Sequence, residues 1–147
     1  MQIALHVAGA RHAARVLRAA AESWAGRAEL SVAVISDREM RRLNRRWRGK
    51  NRTTDVLSFP LAEPGALGDV VISLDTARRQ ARAGGWPLSI ELRRLLAHGI
   101  LHCRGYDHET AAGARRMALA ERRLLGSNGM VGDSFADRAV PTARDSR

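Results

Sequence analysis

Three histidines, His98, His102 and His108, fall within the eleven-residue stretch HGILHCRGYDH. His98 and His102 are four residues apart, so on a helix both imidazoles project from one face and can grip a single metal ion. Gly105 can enter the left-handed conformation that ends a helix, which swings the chain back and lets His108 reach the same ion from a third side. Three protein ligands leave one coordination position open. That is the arrangement of a catalytic zinc site rather than a structural one, with bound water substantially ionised near pH ~7. Imidazole donors favour Zn2+ over magnesium, with other divalent transition metals admissible and one ion expected per chain.

The spacing also matches that of metzincin proteases, which place a glutamate directly after the first histidine as general base. Here that position is Gly99, so the proteolytic proton path is missing and the metal chemistry is expected to serve another substrate. A glycine costs a helix about 1 kcal/mol relative to alanine. Gly99 therefore implies close packing, either beside the metal or against a sheet. Asp107 suits either an orienting hydrogen bond to a ligand imidazole or the capping of the next helix. Cys103 points about 100° around a helix from His102 and is expected to pack as a small apolar side chain. Three unrelated histidines are the competing reading, opposed by the clustering, the shared face and the intervening glycine. His6 and His12 have no such company and are expected to be structural or exposed.

These ligands need a rigid carrier. Leu88–Cys103 has the clearest helical pattern of the chain, with Pro87 ahead of it, Ser89 and Glu91 in its first turn and Gly105 beyond its end. A last helix is expected over 110–125. Upstream, 2–8 and 29–36 alternate as half-buried strands. Each is followed by a helical segment, 10–25 and 37–47, the second placing Met40, Leu43 and Trp47 on one inward stripe. Strand, helix, strand, helix implies parallel pairing through crossover helices. Segments 54–59 and 69–74 read as two more strands whose short connection permits an antiparallel pair, and 75–83 as a helix stopped at Gly84 and Gly85. The expected class is α+β, a four-stranded, mostly parallel mixed sheet with one antiparallel strand. About five helices pack it, one of them a zincin-like helix bearing the metal site. Residues 1–126 are expected to form a single domain and 127–147 a loose, flexible tail.

A chain of 147 residues, 45% hydrophobic and 27% charged, has the composition of an ordinary soluble globular protein. Its charge is less ordinary: 25 basic against 15 acidic residues leave +10. Such a bias is expected of proteins that meet polyphosphates, because each neutralised phosphate releases counterions. Lys50 is the only lysine; a GC-rich genome favours Arg over Lys but does not create an excess of positive charge. That excess concentrates in 37–52, where eight basic residues oppose only Asp37 and Glu39, so this segment carries +6. Arginines coating the outer face of the 37–47 helix suit phosphate contacts; a solvated face without a partner is the competing reading. Aromatic residues are only 4%, and Trp24, Trp47 and Trp86 read as core or helix anchors rather than stacking platforms. Recognition through phosphates and shape, or docking onto a larger ribonucleoprotein, is expected instead. A single cysteine excludes an intramolecular disulfide, no stretch approaches the roughly 20 apolar residues of a membrane helix, and no signal peptide is evident. The cytoplasm is the expected location.

Three blocks carry a resemblance: WRGKNRTTDVLSFP at 47–60, LGDVVIS at 67–73 and HGILHCRGYDH at 98–108. In this order they resemble the YbeY family of bacterial rRNA maturation factors, single-domain metal-dependent endoribonucleases, over about 29–125. The resemblance implies a mixed four-stranded sheet flanked by helices, the three histidines as zinc ligands, and Arg48 of the WRG element in the active-site cleft. On it, Arg48, His98, His102 and His108 form the catalytic set. It further implies cleavage of single-stranded RNA in maturation of the small-subunit 16S rRNA 3′ end and in ribosome quality control, with the ribosome or its small subunit as partner. Cys103 departs from the aliphatic residue expected there. Two other classes compete. One is a non-catalytic ribosome-assembly factor with a structural metal; the other is a metallopeptidase, which Gly99 and the basic charge oppose.

Overall fold

The computed structural model describes residues 2–5, 7 and 9–126; His6 and the tail expected over 127–147 lie outside the described residues. Strands β1 (Gln2–Leu5), β2 (Glu29–Ile35), β3 (Val56–Pro60) and β4 (Ala66–Ser73) form one sheet in the order β1-β2-β4-β3. β1, β2 and β4 run parallel, and β3 is the antiparallel edge strand on β4. Helices α1 (Arg11–Ala25), α2 (Asp37–Arg48), α3 (Leu74–Gly84), α4 (Leu88–Cys103) and α5 (Ala111–Leu125) complete the described chain. This is the expected α+β architecture with its single antiparallel strand. β4 begins at Ala66, earlier than the expected 69, because Gly68 pairs with Pro60 across a tight hairpin. Gly68 sits at φ +144°, with the Phe59 carbonyl where a Cβ would lie, so the close approach of the two strands requires glycine.

One face of the sheet presents Leu30, Val32, Val34, Val56, Val70 and Ile72 to α1 and α4. Ala13, Leu17, Ala20 and Ala21 on α1 make a flat, small-residue surface that packs on this layer. α4 is buried nearly all round, with Leu92, Leu95, Leu96 and Ile100 all at 0% exposure, which makes it the central helix and a rigid carrier for anything at its end. Gly99 meets Val70 of β4: a Cβ there would lie 2.6 Å from a Val70 methyl. Of the two reasons open to this glycine, helix–sheet packing is the one that applies.

The opposite face carries α2, whose Met40 packs with Ile35, Leu57 and Val71. Ser36 caps its start by accepting from the Glu39 amide at 3.3 Å. Asp37 ties that end to α3, accepting from Ser73 Oγ and Thr76 Oγ1, each at 2.6 Å, and pairing with Arg79 at 2.8 Å. Burial alone would raise the Asp37 pKa, but these hydrogen bonds and the Arg79 charge outweigh it and lower it. One expectation fails here. Met40 is fully buried, yet Trp47, on the same stripe, is 58% exposed. The stripe runs off the packed surface in the last turn of α2, so the indole stands at the rim rather than in the core. Trp24 is buried and Trp86 packs against the core, as expected, and His12 is exposed.

Candidate metal centre

The C-terminal half of α4 ends in a Schellman motif made by the backbone. The Gly105 amide donates to the His102 carbonyl and the Tyr106 amide to the Leu101 carbonyl, both at 3.0 Å. Gly105 supplies the required positive φ, +95°, and Tyr106 packs with Leu101 as the motif's apolar partner. The chain is thereby turned back, and His108 comes to lie beside the helix. The ring centroids of His98, His102 and His108 are 4.6, 5.6 and 5.4 Å apart, and one donor atom from each lies within 4.8 Å of the others. His98 and His102 are 3% and 8% exposed, and His108 is half-buried.

This donor set fits a divalent transition-metal ion. Nitrogens bound tetrahedrally at zinc–nitrogen lengths of ~2.0–2.1 Å lie about 3.3 Å apart. The Nε2 atoms of His98 and His102 are 3.0 Å apart, so a small side-chain rotation seats an ion between them. The other ring nitrogen of His98 is spoken for: Nδ1 lies 2.9 Å from Glu121 Oε2 of α5. With that carboxylate ionised, the proton rests on Nδ1 and the Nε2 lone pair faces the cluster, the tautomer a metal ligand needs. Glu121 was not legible as a site residue beforehand. Its only signal is an acidic residue flanking the inward stripe of α5 formed by Met117, Ala120 and Leu124. Glu121→Ala is expected to lower metal affinity by about 10–100-fold in a chelator competition. Unchanged affinity would show that the carboxylate does not orient His98.

The remaining candidates separate. Asp107 takes neither of the roles considered for it: Oδ1 accepts from the Glu109 amide at 3.1 Å in a turn, and Thr110 is the residue that caps α5. Burial, followed by the Asp69 charge, pushes the Cys103 thiol up to about 11 despite a hydrogen bond with the Phe59 backbone. Together with its packing against the core, this makes Cys103 the small apolar residue expected. Arg48 does not join the imidazole cluster. It docks on the edge strand, Nη2 donating to the Ser58 carbonyl at 2.8 Å with its guanidinium 5.0 Å from the Phe59 ring. Burial lowers its pKa from the ordinary guanidinium value. Arg38, Arg41, Arg42, Arg45 and Arg46 are exposed on α2, coating its outer face as expected. Among the described residues no helix is long and apolar enough to cross a membrane.

Comparison with known proteins converges on one family. Residues 5–129 match the model of the family described as Endoribonuclease YbeY. An endoribonuclease YbeY of Anaeromyxobacter dehalogenans (strain 2CP-C) is 57% identical over 141 residues, covering 90% of this chain and 72% of that protein. One from Moorella thermoacetica is 45% identical over 131 residues, 79% of this chain and 84% of that protein. The solution structure of TM1509 from Thermotoga maritima superposes with a TM-score of 0.65 at 26% identity, covering 100% of both chains. The blocks around Trp47, Leu67 and His98 are therefore not isolated coincidences, and this chain belongs to the endoribonuclease YbeY family.

Proposed function

We propose that this chain is a zinc-dependent endoribonuclease specific for single-stranded RNA, acting in the cytoplasm on the 3′ end of the small-subunit 16S rRNA and in ribosome quality control. Its catalytic unit on this reading spans 1–126. The observation that carries the metal chemistry is the convergence of three imidazoles from one helix and its C-terminal turn. Family membership supports the RNA substrate, and the rRNA assignment rests on the resemblance to rRNA maturation factors.

His98, His102 and His108 would hold the ion, with Glu121 fixing the tautomer of His98. When bound, zinc would supply Lewis acidity toward a phosphoryl oxygen and ionise water near neutral pH. Arg48 would stabilise the extra negative charge of the pentacovalent transition state. Its contacts with Ser58 and Phe59 hold the guanidinium in one orientation, and its partial desolvation strengthens any charge interaction it makes. The metallopeptidase reading loses ground on packing: a glutamate in place of Gly99 would run into Val70.

The test is elemental analysis of the purified protein with RNA cleavage assayed before chelation, after it, and after reloading. About one ion per chain is expected, with cleavage of single-stranded RNA lost on chelation and restored by zinc. Full-rate cleavage by metal-free protein would overturn the reading. Product ends identify the nucleophile, since attack by the RNA 2′-hydroxyl leaves a 2′,3′-cyclic phosphate.

A further inference from the structure

The sheet face that carries α2 is only partly covered, and beside the helix a groove of about 480 Å3 remains. Ala33 and Val71 line it from the sheet, and Leu43, Trp47 and Phe59 from the α2 side and the edge strand. Trp47 is 58% exposed at this rim and stands edge-on to Phe59, with centroids 6.4 Å apart and planes at 72°. Each of these rings has a guanidinium beside it. Arg46 lies 5.3 Å from the Trp47 ring and Arg48 5.0 Å from the Phe59 ring.

Two aromatic rings, each paired with a cation, over an apolar trough suit a ligand that alternates flat apolar rings with anionic links. That is the chemistry of a single-stranded nucleic acid. An apolar peptide would gain nothing from the cations, and an acidic peptide would waste the trough. The carboxylate in the lining, Asp69, repels phosphate but can accept from the exocyclic amine of a base, so the base rather than the backbone belongs inside. The strand that carries Phe59, β3, also packs against α4, the helix that bears His98 and His102.

We propose that this groove is a base-binding subsite for single-stranded RNA, in which Trp47 stacks on a base while Arg46, exposed beside it, meets a flanking phosphate. The subsite rests on the ribonuclease reading and adds to it a place where the chain grips its substrate. It also reverses the expectation that none of the tryptophans serves as a stacking platform.

The test measures binding apart from cleavage. Full-length protein in chelator is titrated with a labelled oligocytidylate, whose bases carry the exocyclic amine that Asp69 can accept from, and with the same oligomer carrying abasic riboses. The unsubstituted protein is expected to bind the intact oligomer about tenfold more tightly than the abasic one. Trp47→Ala is expected to lose about tenfold on the intact oligomer and to bind both alike, whereas Trp47→Phe retains most of the preference. An unmoved Trp47→Ala isotherm would assign the groove to a protein or to no ligand and overturn the proposal. A base preference that persists in Trp47→Ala, or an equal loss on both oligomers, would overturn it too. Base-dependent binding through Trp47 without metal-dependent cleavage would leave the subsite standing and remove the nuclease reading; cleavage with Trp47-independent binding would do the reverse.

Discussion

Replacing His102 with alanine is expected to cut RNA cleavage by at least about a thousandfold while leaving a folded protein with a cooperative melt. The size follows from losing a Lewis-acid contribution of several kcal/mol, at about 1.4 kcal/mol per decade of rate. The fold survives because α4 is anchored elsewhere, by Leu92, Leu95, Leu96 and Ile100 in the main core, and because the turn after His102 is held by backbone hydrogen bonds. A structural metal makes a different forecast. If the ion served to pin the turn bearing His108 and α5 onto α4, His102→Ala would either unfold or keep full function in ribosome assembly. Arg48→Ala completes the comparison: it is expected to bind metal normally and to lose most of its cleavage rate. Circular dichroism, metal content and cleavage measured on both variants separate the two readings, and a folded, fully active His102→Ala would end the catalytic one.

The histidine site was legible because its determinants are local. An i, i+4 pair, a glycine in the left-handed region and a third histidine shortly after it depend only on helix period and C-cap geometry, and all lie between His98 and His108. What depends on distant partners was not legible. Val70, which explains Gly99, is on β4, and Glu121, whose carboxylate lies 2.9 Å from His98 Nδ1, is on a different helix. Trp47 shows a different limit. The helical period of α2 was read correctly, but how far the sheet extends beneath that helix is a tertiary fact, and the expected anchor is a rim residue. Strand bounds blurred for a related reason: Leu67, Gly68, Val70, Val71 and Ile72 are all buried, so β4 lacks the alternation that would mark its start.

Glu91→Ala is expected to destabilise the fold by about 3–5 kcal/mol, because it strands a buried charge. Glu91 is 0% exposed in the first turn of α4. It accepts two hydrogen bonds from Arg94, at 3.1 and 2.5 Å, and one each from Gln80 at 2.6 Å and Trp86 at 2.9 Å. Arg94 is itself only 6% exposed. Burial alone would lower its pKa, yet the hydrogen bonds and charge of Glu91, with the charges of Asp55 and Glu121, outweigh it and raise it. A guanidinium is not deprotonated in proteins, so Arg94 stays charged when Glu91 is removed, and the alanine variant must solvate it by deforming the junction of α3 and α4. Urea denaturation should show the loss directly, and the melting temperature should fall by roughly 10 °C or more. A double replacement, Glu91→Leu with Arg94→Leu, is expected to recover part of that loss, because it removes both charges together while leaving the buried Asp55 without the Arg94 charge. A single-variant effect below about 1 kcal/mol would mean that water reaches Arg94 and that the pair is not a buried one. Arg94 lies one turn before His98 on the same helix and feels the Glu121 charge, so the electrostatics that hold the α3–α4 junction reach the residue that orients the first imidazole. The measurement that connects them is metal affinity in the folded Glu91→Leu, Arg94→Leu protein. If the ion pair acts on stability alone, that affinity stays at the value of the unsubstituted chain; if Arg94 also holds Glu121 in place, it falls in the direction set by Glu121→Ala.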